Sequence, residues 1–446
     1  MSIEKQEGKQ KQKQEPRINR RNFLKAGAAS AISMGILGMA NALPVQAAET
    51  VSNSAGQVNG ARSKLHPTNY GSASVKMADF NDQWLGTTKI VGPIKKFHEA
   101  DQGFNLVFRH KVSEAAFEAN KFYHAAAKYP LGDALAKFTL SLAPMVSGKP
   151  APEKLNIPDP EQMSQHIKDC AYFLRADEVG IGKMPSFAYY EFKAPPLADM
   201  MKDDLSKSVP VTESLPYVIV VMTDQNLETT MASTGYDGIS GSQSFLGYHA
   251  TAVITVILAN YIRNLGYNAR AHHFSNYAAI LGPCLVSAGL GEMTRTGDCI
   301  AHPTLGFRNK VAAVTTDLPL LPDRPIDFGA QDFCRVCKKC ADNCPSGAIT
   351  QDEDYIEKNG ILRWQSDIKK CVEFRVTNKE GSMCGRCMKV CPWNSKEDSW
   401  FHQAGTFIGS KGETASNLLK QVDDMFGYGT EQIEKYKWWL EWPERY

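Results

Sequence analysis

The chain has 446 residues, 43% of them hydrophobic and 22% charged, with a formal net charge of +2. That length suits one large domain or two ordinary ones. The first 47 residues hold 8 Lys and Arg against 3 Asp and Glu; of 50 and 48 in the whole chain this leaves 42 and 45, a charge of −3 that excludes the basic footprint of a nucleic-acid binder.

Arg20-Arg21-Asn22-Phe23-Leu24-Lys25 has the form of a twin-arginine export signal. A polar, basic stretch precedes it, an apolar segment rich in Ala and Gly runs from Ala26 to Leu43, and Val45-Gln46-Ala47 offers a small-residue cleavage site. Residues 1–47 read as a cleaved signal rather than an anchor, because about eighteen residues sit at the short edge of a membrane span. Since this route carries folded proteins, the protein is expected at the outer face of a bacterial cytoplasmic membrane. No later segment reads as long and apolar enough to span a bilayer, so attachment would need a partner.

Residues 48–160 read as mixed and loop-rich; Trp84, Phe97, Phe104 and Phe108 suit an apolar access route or a core. A helix is expected over Ser164–Leu174, leading to Val179-Gly180-Ile181-Gly182. Tyr217–Met222 is a continuous apolar run of strand type, followed by a Gly/Ser-rich loop from Gly235 to Gly247. Ala250, Val253, Ile254, Ile257, Leu258, Tyr261, Ile262 and Leu265 then recur at helical spacing, with Gly266 as the C-terminal cap. Val311–Thr315 is a further strand. This alternation suggests an α/β core with a ferredoxin-type insert on it. His272 and His273, adjacent in a strand, point to opposite faces and do not suit one metal. Cys170, Cys284 and Cys299 read as buried thiols.

The remaining cysteines form two runs. Cys334, Cys337, Cys340 and Cys344-Pro345 follow the C-x2-C-x2-C-x3-C-P spacing of bacterial two-cluster ferredoxins. Cys384, Cys387 and Cys391-Pro392 repeat it, with Cys371 thirteen positions ahead. Eight thiolates are what two [4Fe–4S] clusters require, and in this spacing the cysteine before proline serves the neighbouring cluster. Cys334, Cys337, Cys340 and Cys391 are thus expected to hold one cluster, and Cys344, Cys371, Cys384 and Cys387 the other. Structural zinc fits less well, because its sites use two well-separated C-x2-C pairs. The tail from Tyr436 to Tyr446, with Trp438, Trp439 and Trp442, suits packing on the domain or on a partner.

From Arg20 to about Trp400 the chain resembles the corrinoid-dependent reductive dehalogenases. Beyond the signal and the cysteines, the stretches that carry the resemblance are Ala288-Gly289-Leu290-Gly291-Glu292 with Arg295, Thr316-Asp317-Leu318-Pro319-Leu320, Asp327-Phe328-Gly329 and Leu362-Arg363-Trp364-Gln365. The resemblance implies an α/β (α+β) fold: a nitroreductase-like corrinoid-binding core over 161–325, a two-cluster ferredoxin domain over 326–396 and a C-terminal extension over 397–446. It implies a base-off cobamide without a histidine on cobalt. In agreement, the D-x-H-x-x-G motif is absent, and Asp298 to His302 has the wrong spacing.

The resemblance also implies site residues. Tyr248, at the start of the helix after the Gly/Ser loop, corresponds to the proton donor; Lys310, or alternatively Arg308, to its cationic partner; Asn276 to a pocket asparagine. Trp364 is expected against the corrinoid or a cluster edge. The implied activity is reductive removal of halide from an organohalide, with a small chlorinated aliphatic as the expected substrate, as the last step of anaerobic respiration. A small integral-membrane anchor and a membrane electron donor are the implied partners. An epoxyqueuosine reductase-like enzyme is the alternative, opposed by the export signal and the slightly acidic mature chain. A plain electron-transfer subunit would leave some 280 residues ahead of the cysteines without a purpose.

Overall fold

Four strands form the central sheet: β1 (Glu178–Lys183), β2 (Tyr217–Asp224), β3 (Ala269–His272) and β4 (Asn309–Thr316), in the order β1-β2-β4-β3. Every pairing is antiparallel, which makes the core α+β. The computed structural model describes residues 75–121, 129–380, 383–394, 420 and 429–441, all within the compact unit Ser52–Tyr446. The expected signal segment and Trp442 lie outside the described residues.

β2 is apolar from Tyr217 to Met222 because it is covered on both sides. Its Ile219 and Val221 enter one core cluster and its Val218, Val220 and Met222 the other, as alternation along a strand dictates. The first cluster is closed by α4 (Pro160–Phe173) and α6 (Gly238–Asn264), the second by α7 (Gly282–Ser287) and the Ala288–Met293 segment after it. Gly180 and Gly182 of β1 are what let that segment lie directly on the sheet. A Cβ on Gly180 would stand 2.2 Å from the Ala288 carbonyl oxygen.

Two expectations fail at α6. The Gly/Ser stretch is not a loop: Asp237 accepts the Ser240 N–H as N-cap, and the helix begins at Gly238. Gly and Ser are weak helix formers, but small residues are what this position demands. A Cβ on Gly238 would lie 2.3 Å from the Tyr129 ring, and one on Gly247 2.7 Å from Lys310 Cγ. Packing overrides propensity, so Tyr248 sits well inside a helix and not at its start. At 27 residues and a mean hydropathy of 1.5 in its most apolar window, α6 is also long and apolar enough to cross a membrane. Its Ile254, Val256, Leu258 and Ile262 are buried in the first core cluster instead, while Leu246 and Ile257 are exposed. The C-terminal cap is as expected: Gly266 takes φ +85°, and any Cβ there would strike the Glu153 carbonyl oxygen at 2.2 Å.

The N-terminal region is more helical than its sequence suggests. It supplies α1 (Gly103–Phe108), α2 (Glu114–Lys121) and α3 (Pro130–Ser141). α3 packs on α6, whereas α1 and α2 pack on α9 (Ile368–Thr377), the helix that carries Cys371. α5 (Leu227–Ala232) and α8 (Ala330–Cys337) complete the named helices. Of the four aromatics singled out above, Trp84 is exposed, while Phe104 joins the apolar cluster that contains Tyr248.

A buried ion pair ties these layers together. Lys168 Nζ of α4 lies 2.7 Å from Asp323 Oδ1, and Asp323 Oδ2 accepts the Ile181 N–H of β1 at 2.7 Å. Removing one member strands the other charge in the core. Lys168→Met is therefore expected to destabilise the fold by about 3–5 kcal/mol, read as a lower midpoint of chemical or thermal unfolding; a midpoint equal to wild type would refute this.

Candidate active site

The cysteines occupy short helices and turns joined by left-handed residues. α8 carries Cys334 and Cys337 and ends at Lys338 (φ +53°), after which a helical turn presents Cys340. The thiols fall into two neighbourhoods. Cys340 and Cys391 each feel the charges of Cys334 and Cys337, and Cys391 that of Cys340 as well. Cys384 feels Cys371 and Cys344, and Cys387 feels Cys384 and Cys371. Cys340 also acts on Cys387, so the two neighbourhoods adjoin. Cys344 Sγ accepts the Ala348 N–H at 3.3 Å, the kind of bond that favours a thiolate.

Buried cations fasten these loops to the core. The fully buried Arg295 donates to the carbonyls of Cys334 (3.0 Å), Arg335 (3.0 Å), Thr350 (3.0 Å) and Asp352 (2.6 Å). Trp364 lies beneath it, with the guanidinium 4.6 Å from the ring centroid and Tyr355 at 4.5 Å. The described contacts of Trp364 are thus with this clamp. Lys389, between Cys387 and Cys391, reaches the carbonyls of Met231 (2.7 Å), Glu431 (3.1 Å) and Thr230 (3.4 Å). Arg386 bonds the Thr234 and Thr430 carbonyls at 2.9 and 3.0 Å. At the start of α8, Glu292 Oε1 accepts the N–H groups of Phe328 (2.6 Å) and Ala330 (3.1 Å), while Oε2 accepts the Thr87 hydroxyl at 2.8 Å. A carboxylate there suits the positive end of the helix. Even so, burial and then Asp327 push its pKa up to about 7.

Beside the second group of thiols stands Tyr248. It is half-buried, as are Lys310, Tyr277 and Cys299. Phe245 and Phe274 pack on the Tyr248 ring with centroids 5.9 and 5.1 Å away. Lys310 Nζ lies 5.4 Å from the ring centroid. Gly247 permits this approach, since any Cβ there would meet the Lys310 stem. Arg308 instead pairs with Asp224 and donates to the Gln225 carbonyl at 3.1 Å.

The electrostatics are those of a dry site. Burial raises the Tyr248 pKa, and Arg375 pulls it back. Burial, then Arg375, push the Lys310 pKa down to about 8. Lys310 has only long hydrogen bonds, to Gln225 Oε1 (3.4 Å), the Asn309 carbonyl (3.5 Å) and Met388 Sδ (3.9 Å), which leaves it able to take a better acceptor. Gln225 and Met388 also line a small surface cleft with Thr230, Ser244, Arg308 and Lys389. Asn276 is committed elsewhere: its Oδ1 accepts from Arg270 at 2.9 Å and its Nδ2 donates to the Ala143 carbonyl at 2.7 Å. His272 and His273 have separate partners, Thr315 and the Phe274 carbonyl. Of the three extra cysteines Cys284 is buried, but Cys170 and Cys299 keep accessible surface; Cys170 lies 3.5 Å from His166 on α4. Sequence reasoning missed Arg375 and Glu292 as site residues; the spacing of Arg375, one helical turn after Cys371, was the signal available for it.

Eight thiols in two adjoining groups, fixed to an α+β core, are the ligand set that two iron–sulfur clusters require. Residues 333–394 match the 4Fe-4S double cluster binding domain. Over a wider span the likeness is to reductive dehalogenases. The tetrachloroethene reductive dehalogenase of Sulfurospirillum multivorans is 30% identical over 298 residues, 61% of this chain and 58% of the relative. That of Desulfitobacterium hafniense is 34% identical over 221 residues, 47% and 38% of the two chains. The solved structure of the catabolic reductive dehalogenase NpRdhA in complex with 3-bromo-4-hydroxybenzoic acid superimposes with a TM-score of 0.73 at 32% identity, over 82% of this chain and 50% of that one. A second, described as a reductive dehalogenase structure that suggests a mechanism for B12-dependent dehalogenation, gives 0.74 at 30% identity over 87% and 53%. The chain thus shares their fold and spans about half the length of the relatives it matches. An epoxyqueuosine reductase of Cyclobacterium marinum matches only 112 residues, 24% of this chain, at 31% identity.

The Glu292 cap makes a prediction free of cofactor chemistry. Glu292→Ala orphans two buried N–H groups and should cost about 1–3 kcal/mol. Glu292→Gln keeps the acceptor and should cost little. The folded-state pKa of about 7 lies above the ordinary carboxyl value of 4.5, so the folded protein holds this proton to higher pH. The contribution is full below pH 4.5 and lost as pH rises through 7. Wild-type stability should therefore fall relative to Glu292→Gln across that window in paired unfolding titrations; a constant difference would show that Glu292 does not titrate there.

Proposed function

We propose that this protein is a reductive dehalogenase: R–X + 2e− + H+ gives R–H + X−, with electrons entering through two [4Fe–4S] clusters. The observation that supports it most is the enclosed Tyr248, with Lys310 on its ring and Arg375 in electrostatic reach, beside the second thiol group on a dehalogenase fold. Cys334, Cys337, Cys340 and Cys391 would hold one cluster and Cys344, Cys371, Cys384 and Cys387 the other, the grouping their mutual charges favour. The half-buried Tyr248, Lys310, Tyr277 and Cys299, with no carboxylate among them, are the side chains that would face a corrinoid. We propose that it is held base-off, without a histidine on cobalt. When bound, the corrinoid supplies a low-potential cobalt able to break a carbon–halogen bond, and the clusters supply electrons singly.

The chain's own part is to deliver the proton and exclude water. A phenol near pKa 10 is a poor acid unless its anion is stabilised. Burial makes Tyr248 poorer still, and Arg375 opposes that. Tyr248 Oη would give its proton to the carbon that lost halide, and the tyrosinate would be held by Arg375 and by Lys310, whose long bonds it can replace. Asn276, fixed by Arg270, would form part of the wall behind Phe274; Trp364 would brace the first cluster through Arg295. The organohalide class remains the small chlorinated aliphatics, in keeping with the two tetrachloroethene enzymes above. The wider proposal places the protein, exported through the twin-arginine signal, peripherally on the outer face of the cytoplasmic membrane. A small integral-membrane anchor and a membrane electron donor serve it there, and no nucleic acid takes part.

Tyr248→Phe in cofactor-reconstituted protein should lower halide release by about 10²–10⁴-fold, the worth of a positioned general acid, with iron and cobalt content unchanged. Full halide release by that variant would end the assignment. Lys310 is charged below its pKa of about 8, so the rate should decline above that pH. Arginine stays charged throughout, so Lys310→Arg should abolish the alkaline decline; an unaltered profile would show that the lysine charge is not used.

A further inference from the structure

Arg375 is the exception among the arginines at the cysteines. Arg295 and Arg386 spend their guanidinium groups on backbone carbonyls. Among the described residues Arg375 has no such acceptors. Its NH2 approaches Met383 Sδ at 3.6 Å, its guanidinium covers the Phe104 ring at 4.7 Å, and its Nε is buried without a hydrogen-bond partner among the described residues. Nor does any carboxylate among the described residues pair with it. Phe104, Met383 and Tyr248 belong to one apolar cluster, so this charge is set in an oily environment. A cation left there without an anion is costly, and the sequence shows which anion offsets it. Arg375 lies four residues after Cys371 on α9 and so shares its face; Met383 precedes Cys384.

We infer that Arg375 sets the reduction potential of the cluster held by Cys344, Cys371, Cys384 and Cys387, by facing it with an otherwise unneutralised positive charge. The inference rests on the proposed cysteine assignment. Reduction adds one electron to that cluster, taken from a reduced viologen in the titration below, and so increases its negative charge. A fixed cation at short range in low dielectric favours the reduced form, and net charge is one of the terms that set such potentials. Because the same guanidinium acts on Tyr248, it joins electron arrival to the proton-donating side of the site. Arg375 is thus a potential-setting residue that works through a bound group.

The test uses full-length protein with clusters reconstituted, an iron assay and a redox titration with viologen mediators followed by electron paramagnetic resonance. Arg375→Met should keep about eight irons. One cluster should become about tenfold harder to reduce, a shift of about 59 mV for one electron, with the other unmoved. Arg375→Lys, which keeps the charge, should recover most of the shift. Two unshifted clusters in Arg375→Met would overturn the inference. Should that variant bind a single cluster, recovery of the second in Arg375→Lys supports the charge, and its loss in both variants overturns it in favour of shape. Wild-type protein that binds no iron would instead defeat the reading of the cysteines.

Discussion

The structure depends on positive charge threaded through buried backbone. Arg295 gathers four carbonyls from the start of the first cysteine run and the loop after it, and Lys389 gathers three from α5 and the C-terminal segment. Short loops with many left-handed residues cannot satisfy their own carbonyls, so side-chain donors must do it. Arginine and lysine do this while also placing charge beside thiolates. One set of residues therefore fixes loop geometry and offsets the negative charge those loops are built to carry. The Ala288–Glu292 block serves the same end: it sits on the glycines of β1, sends Glu292 to the start of α8 and leads to Arg295.

The site around Tyr248 follows a second constraint, dehydration. β4 and α6 meet there because Gly247 lets the Lys310 stem pass. The same closeness that brings the lysine to the tyrosine strips both of water and shifts both against ionisation, up for the phenol and down for the ammonium. Lys310 faces the ring, and the cation that acts on the Tyr248 ionisation is Arg375. The division of labour is between an amine that can form new hydrogen bonds and a guanidinium whose charge is permanent.

How much of this was legible depended on range. The cysteine spacing is local and could be read directly, as could the apolar run of β2 and the cap at Gly266. Gly235–Gly247 was misread because propensity describes an isolated helix, whereas the Tyr129 ring and the Lys310 stem demand small residues in this one. The choice between Lys310 and Arg308 could not be made from spacing, since it turns on Asp224, 84 positions from Arg308. α1 and α2 were missed because they are short and stabilised by packing on α9, far along the chain. Arg375 gave a local hint in its distance from Cys371; its lack of acceptors is a property of the folded state alone.

A core that encloses Arg375 and Lys310 beside eight thiols poses an assembly problem. With thiols protonated, the cations lack strong acceptors and oppose closure. With thiolates bound to iron, the same cations face net negative charge and favour it. Metal binding and folding are then linked, each raising the affinity for the other. The linkage is strongest at α9, where Cys371 and Arg375 share one face and where α1 and α2 dock. Closure of the N-terminal helices over the site would accordingly wait on the second cluster. That order agrees with the proposed export route, in which a chain crosses the membrane only after it has folded around its cofactors.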